Sequence, residues 1–132
     1  LRDAGIPVIG GFHSRMEAEM LALWLRGSAP VIVCPARDIR AMRVPAAWRP
    51  ALAEGRLLIV SPFTNKRQTA NVAVKRNRLV AALAQRVLVL HASPGGQIEW
   101  LVRDVLRWPR LVYTLDDSTN AALVALGAAP GA

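Results

Sequence analysis

Two short stretches of this chain combine small residues with hydrogen-bond donors in the order that an anion site needs. Gly10-Gly11-Phe12-His13-Ser14 sets two glycines ahead of a serine able to cap a helix, and Ser93-Pro94-Gly95-Gly96 repeats the theme. Glycine lets a backbone approach an anion closely, and a helix start supplies unpaired N–H groups with a favourable dipole. A turn can also need glycine merely to reverse direction. Two such turns at one edge of a sheet point to a cleft for a phosphate or a phosphodiester. Arginines accompany them. Arg37, Arg40 and Arg43 recur at three-residue spacing, which would bring them to one face of a helical turn, and Lys66, Arg67, Lys75, Arg76 and Arg78 follow. A guanidinium offers phosphate a planar bidentate donor that lysine lacks, although a solvated surface is the ordinary explanation for any one of them.

Acid–base candidates are few. His13 lies in the first glycine turn, where it could donate to a phosphate, act as an acid or simply neighbour the cap; His91 ends an apolar run, where a hydrogen-bonded structural role is expected. Asp116 and Asp117 precede Ser118 and are expected to cap a helix. Glu99 falls in a first helical turn, where the helix dipole accounts for it. No nucleophile elbow, metal-binding helix or Walker loop is present. Cys34 is the only cysteine, so an intrachain disulfide and a paired-thiol metal site are excluded and a reducing cytoplasm is the expected setting. No metal or cofactor is expected.

The elements that would position these residues follow a βα rhythm. Apolar runs at Pro7–Ile9, Val31–Cys34, Leu57–Val60, Val87–Leu90 and Leu111–Leu115 read as about five buried parallel strands of one sheet. Ligands of such sheets bind beyond the carboxyl ends of the strands. Ser14-Arg15-Met16-Glu17 is a capping box opening a helix that carries Met16, Met20, Leu23 and Trp24 on one face and ends near Gly27. Further helices are expected between Pro45 and Gly55, from Gln68 to Ala84, from Gln97 to Trp108 and from Ser118 to Leu126. The tail from Gly127 onward is expected to fray. Trp24, Trp48, Trp100 and Trp108 all fall in or beside helices, and helix–sheet packing explains them better than base stacking, because no glycine-rich or basic pattern surrounds them.

The 132 residues suit a single domain. The longest apolar runs are far too short to cross a bilayer. Seventeen basic residues against nine acidic ones give a formal charge of +8, which favours a polyanionic partner; codon bias in a GC-rich genome would raise arginine as well, so position decides.

These residues resemble the DNA-processing protein A family, also called Smf, which shares a wider group with the Lonely Guy phosphoribohydrolases. The resemblance rests on Arg76-Asn77-Arg78-Leu79-Val80-Ala81-Ala82-Leu83 before the strand Val87-Leu88-Val89-Leu90, on Gly10-Gly11 after an apolar strand, on Leu58-Ile59-Val60-Ser61 before a proline, on Gly95-Gly96 and on Arg110-Leu111-Val112-Tyr113. It implies a doubly wound, mainly parallel Rossmann-like α/β sheet with helices on both faces. It also implies a non-enzymatic domain that binds single-stranded DNA through a basic pocket, self-associates and hands DNA to a recombinase; a nucleotide phosphate is the other ligand expected, and exposed apolar residues on the last helix could support a homodimer. Joined with the candidates read from the residues above, the expected phosphate or nucleic-acid site comprises Gly10, Gly11, His13, Ser14, Arg37, Arg76, Asn77, Arg78, Gly95 and Gly96. His13 stands where the family carries an arginine.

An alternative is cleavage of a nucleoside monophosphate, as in the Lonely Guy proteins, with Glu99 as the catalytic residue. There Pro94-Gly95-Gly96 lacks the second glycine and threonine of that motif, and Val102 occupies its glutamate slot. A domain that senses a nucleotide without turnover is a third reading. The family's earlier strand, ending in a Gly-x-Arg turn, has no counterpart here, so the natural protein is expected to extend further at its N-terminus. A start codon directly before the Leu1 codon would remove that expectation.

Overall fold

A computed structural model describes residues 2–131. The chain divides into two compact units, Leu1–Val80 and Ala81–Ala132. Strand pairing follows the same division: the single sheet expected from the sequence is two sets of three parallel strands, ordered β1-β2-β3 and β4-β5-β6.

In the first unit β1 (Val8–Gly10), β2 (Val31–Val33) and β3 (Leu57–Ile59) pair in parallel, with Val8 opposite Val31 and Val31 opposite Leu57. β2 is central, and Val31 and Val33 are buried, as a strand bonded on both sides and packed by helices should be. The crossover from β1 is α1 (Arg15–Leu25). Its capping box forms as the sequence implies: the Ser14 hydroxyl accepts from the Glu17 amide at 3.2 Å, and the Ser14 amide donates to the Glu17 carboxylate at 3.3 Å. Its buried face differs from the expectation. Leu21 and Trp24 are buried, with Met20 packed beside them, whereas Met16 and Leu23 are about half exposed. Leu23 lies about 160° around the helix axis from Leu21, so it faces away from the side on which Leu21 and Trp24 are buried. The path to β3 includes α2 (Arg49–Ala53), which packs Ala51 and Leu52 onto the core. α3 (Ala70–Leu83) starts in this unit and runs across its boundary.

In the second unit β4 (Arg86–Val89), β5 (Leu111–Thr114) and β6 (Ala129–Pro130) are linked by α4 (Gln97–Val105) and α5 (Ala121–Leu126). Val89, Val102, Val105, Val112 and Leu123 form its core. The tail expected to fray is instead a third strand: Tyr113 pairs with Ala129, and the Gly131 amide donates to the Thr114 carbonyl at 3.0 Å. Two residues of backbone pairing are enough to escape a sequence pattern that looks for runs of apolar residues.

Buried polar groups hold this unit's loops. Asn120 is fully enclosed, and its amide donates to the carbonyls of Leu90 and Leu115 at 3.1 and 3.4 Å. Thr114 donates to Val89 at 3.0 Å. Asp117 caps the turn that leads into α5, accepting from the Thr119 amide and hydroxyl at 2.8 and 2.7 Å, while Asp116 makes no such cap among the described residues. Those bonds hold the Asp117 carboxyl below its ordinary range, with a smaller contribution from His91. His91 itself is exposed, and no hydrogen bond to its ring is formed among the described residues, so the bonded structural histidine expected there does not form.

Asn120→Ala removes a buried side chain that joins the carbonyls of Leu90 and Leu115 and is expected to destabilise the fold by about 1–3 kcal/mol in urea denaturation, whereas Thr114→Val, which keeps the shape, should cost about 1 kcal/mol. Because the Asp117 carboxyl is depressed in the folded state, its cap contributes fully above about pH 4 and is lost as pH falls through the folded value. The wild-type advantage in urea midpoint over Asp117→Ala should therefore shrink on acidification below pH 4 and stay constant from pH 5 to 7.

Candidate nucleic-acid interface

The loops that follow β1, β2 and β3 meet at the carboxyl edge of the first sheet, and named hydrogen bonds tie them together. At the end of β1, the Gly10 carbonyl accepts from the Cys34 amide at 2.8 Å. After β3, the Ser61 hydroxyl donates to the Arg37 carbonyl at 2.6 Å, Asn65 donates to Ala36 at 3.0 Å, and the Asp38 amide donates to Asn65 at 2.8 Å. Sequence reasoning missed Asn65. Its signal was ordinary: an asparagine in a post-strand loop, a residue type whose side chain readily bonds nearby backbone.

Arg76 is the centre of this edge. It enters from α3 with only 4% of its surface exposed, a rare condition for arginine. Its guanidinium donates to the Cys34 carbonyl at 3.2 Å and to the Asn77 side-chain oxygen at 2.8 Å. It also lies against Gly11, where a Cβ would collide with the guanidinium carbon. Gly11 is therefore glycine because the arginine occupies the side-chain position. Among the described residues no carboxylate forms an ion pair with Arg76; Glu17 attracts it only at longer range, and burial pulls its pKa down from the ordinary value. The Arg76 charge in turn opposes the rise that burial imposes on the Cys34 thiol.

Next in the turn, Phe12 takes φ = 50°, left-handed backbone that a bulky residue enters at a cost of about 1–2 kcal/mol. Its ring covers Gly10 and packs against the core of the first unit. His13 follows and lines an open cleft of about 320 Å³ together with Gln68, Thr69, Ala70 and Ala73 from the start of α3. Thr69 caps that helix, accepting from the Val72 amide at 3.3 Å. Gln68 and Thr69 were not among the candidates drawn from the sequence; one sits beside a helix start as an unremarkable polar residue, and the sequence alone gives no sign of the cleft.

Other candidates are placed differently. Arg37 donates to the Ala41 carbonyl at 2.9 Å and is half buried, and Arg40 is paired with Asp38 at 2.8 Å. Arg37, Arg40 and Arg43 do not share a helical face, since the local structure is a single 3-10 turn over Ile39–Ala41 that contains only Arg40. Asn77 supports Arg76, and Arg78 is exposed on α3.

The second glycine turn belongs to the other sheet, following β4. Gly95 has φ = 72°, and the Gly96 amide bonds to the Ser93 carbonyl at 2.9 Å, the geometry of a turn that demands glycine at its third position. Glu99 closes it: one carboxylate oxygen accepts from the Gly95 amide at 3.0 Å and the other from Arg103 at 3.2 Å. These bonds hold the Glu99 carboxyl below its usual range, the opposite of the raised value a general acid needs. Trp100 also departs from expectation: it is 62% exposed rather than packed, with the Arg103 guanidinium 5.4 Å from its ring centre. Trp24, Trp48 and Trp108 do pack against cores. Among the described residues there is no cluster of groups suited to a metal ion, and no helix is long and apolar enough to cross a membrane.

No protein-family model matches the chain, and no curated protein matches it by sequence. A solved structure does match: the X-ray structure of DNA processing protein A (DprA) from Streptococcus pneumoniae superposes with a TM-score of 0.70 over 98% of this chain, at 16% sequence identity. The chain spans half the length of that protein. Its fold is the Rossmann-like α/β fold of DNA processing protein A, as the Gly10-Gly11 and Arg76-Asn77-Arg78 stretches imply.

Proposed function

We propose that this chain is a non-catalytic binding domain for single-stranded DNA, or for the phosphate of a nucleotide, held at the carboxyl edge of the β1–β3 sheet. The observation that carries this reading is Arg76: a buried guanidinium without a paired carboxylate, set directly behind a glycine turn. Buried charges are normally matched by a counter-charge. A phosphate oxygen received by the turn's backbone amides would provide one, with Arg76 acting through the Gly11 peptide rather than by direct contact. The exposed cations Lys66 and Arg67, just before α3, would extend the contact along a phosphodiester chain. The likeness in fold to a DNA-processing protein supports DNA over other polyanions, and action in the cytoplasm, self-association and delivery to a recombinase belong to the same proposal. The commitment of both Glu99 oxygens to structural bonds supports binding without glycosidic cleavage.

One observation favours a mononucleotide as the ligand. The cleft beside His13 is at the small end of ligand-pocket sizes and would house a single nucleotide.

Fluorescence anisotropy with labelled oligothymidylate across a salt series tests the proposal. Affinity should fall steeply with salt, and Lys66→Ala or Arg67→Ala should make the log–log slope shallower by roughly 0.7 each, the value for one lost contact to a single strand. Absence of binding at low salt, together with release of base from a nucleoside monophosphate, would overturn it. Gly11→Ala drives a methyl group into the guanidinium and should destabilise the fold by about 1–3 kcal/mol in urea denaturation, with oligonucleotide affinity reduced at least tenfold under conditions where the variant remains folded.

A further inference from the structure

Helix α4 buries Val102 and Val105 on its inner side. Its outer side presents Trp100 and Arg103, about 60° apart around the axis, with the half-buried Asp104 four residues after Trp100 and the exposed Arg107 in the turn that ends the helix. A tryptophan that is 62% exposed is an unusual use of the largest apolar side chain. This ring is also held in place. The Gly95 amide fixes Glu99, Glu99 fixes Arg103 through a 3.2 Å ion pair, and the Arg103 guanidinium lies 5.4 Å from the Trp100 ring centre. The carboxylate in that chain is consumed by the glycine turn and Arg103, so the group that faces outward beside the ring is cationic.

We propose that this face of α4 is a stacking site for an unpaired base of single-stranded nucleic acid, the base covering the exposed area of Trp100 and the adjoining phosphates meeting Arg103 and Arg107. An aromatic ring with arginine beside it suits any base, because every base has a π-face and every linkage a negative charge. The network through Glu99 sets the ring before the ligand arrives, which lowers the ordering cost of association. The exposed cations of this face, Arg103 and Arg107, complement the phosphates of a strand, and the half-buried Asp104 already has a partner within the protein. The inference rests on the reading that the chain binds single-stranded nucleic acid, but it uses residues of the second unit that contribute nothing to the Arg76 edge.

The test compares labelled oligothymidylate with an abasic strand of equal length, by anisotropy at low salt, for the intact chain and for Trp100→Ala and Trp100→Phe. Trp100 is exposed, so neither change threatens the fold. The intact chain should prefer oligothymidylate, Trp100→Ala should weaken that ligand roughly five- to tenfold while leaving the abasic strand unaffected, and Trp100→Phe should recover most of the loss. Equal affinities of the intact chain and Trp100→Ala for oligothymidylate would overturn the stacking site while leaving salt-dependent binding at the Arg76 edge in place. Loss of self-association in Trp100→Ala with unchanged oligothymidylate affinity, read by sedimentation velocity, would overturn it in favour of a contact between copies of this chain. Failure of the intact chain to bind either strand would remove the nucleic-acid reading as a whole.

Discussion

A single buried cation organises the first half of this protein. Moving the Arg76 guanidinium out of water is expensive, and the fold offsets that cost with the Cys34 carbonyl and the Asn77 side chain. The arrangement joins two distant stretches of sequence, because the loop after β2 supplies the acceptor while the turn after β1 must lack a side chain to make room. The glycine, the arginine and the carbonyl therefore form one device. Changing any member leaves the others with an unsatisfied group or a collision.

The remaining loops are organised around that device. Ser61 and Asn65 fasten the segment after β3 to the segment after β2, and the Gly10 carbonyl fastens β1's exit to Cys34. Three post-strand loops thus behave as one surface. The second unit uses the same tactics with other residues: Asn120 and Thr114 bind carbonyls at strand ends, and Glu99 closes the turn at Gly95. In both units, polar side chains complete backbone hydrogen bonding where the parallel strands stop, which is where such sheets leave their main-chain groups without neighbours.

Much of this architecture was legible in the residues themselves. Alternating apolar runs and helical stretches located β1 to β5 within a residue or two, and the Ser14–Glu17 capping box announced the start of α1, because both signals are local. Signals that depend on distant partners were not legible. Arg76 looked like one of several rim cations, and only the proximity of Gly11 and Cys34 makes it a buried one. Arg40 looked like a member of a basic row until Asp38, two residues away, neutralised it through a turn too short for helical spacing to apply. Trp100 looked like core because composition cannot tell which side of a helix faces a sheet, and Ala129–Pro130 looked like a frayed tail because two residues of strand carry no periodicity.

The left-handed backbone of Phe12 has a consequence for how a ligand would be captured. The ring's packing against Gly10 and the core holds the turn in this shape within the folded chain, so the unfavourable torsion is already settled before any encounter. Nothing in the turn has to condense when an anion arrives. The rate of capture would then be set by diffusion and by the protein's overall positive field, not by a slow rearrangement of the chain.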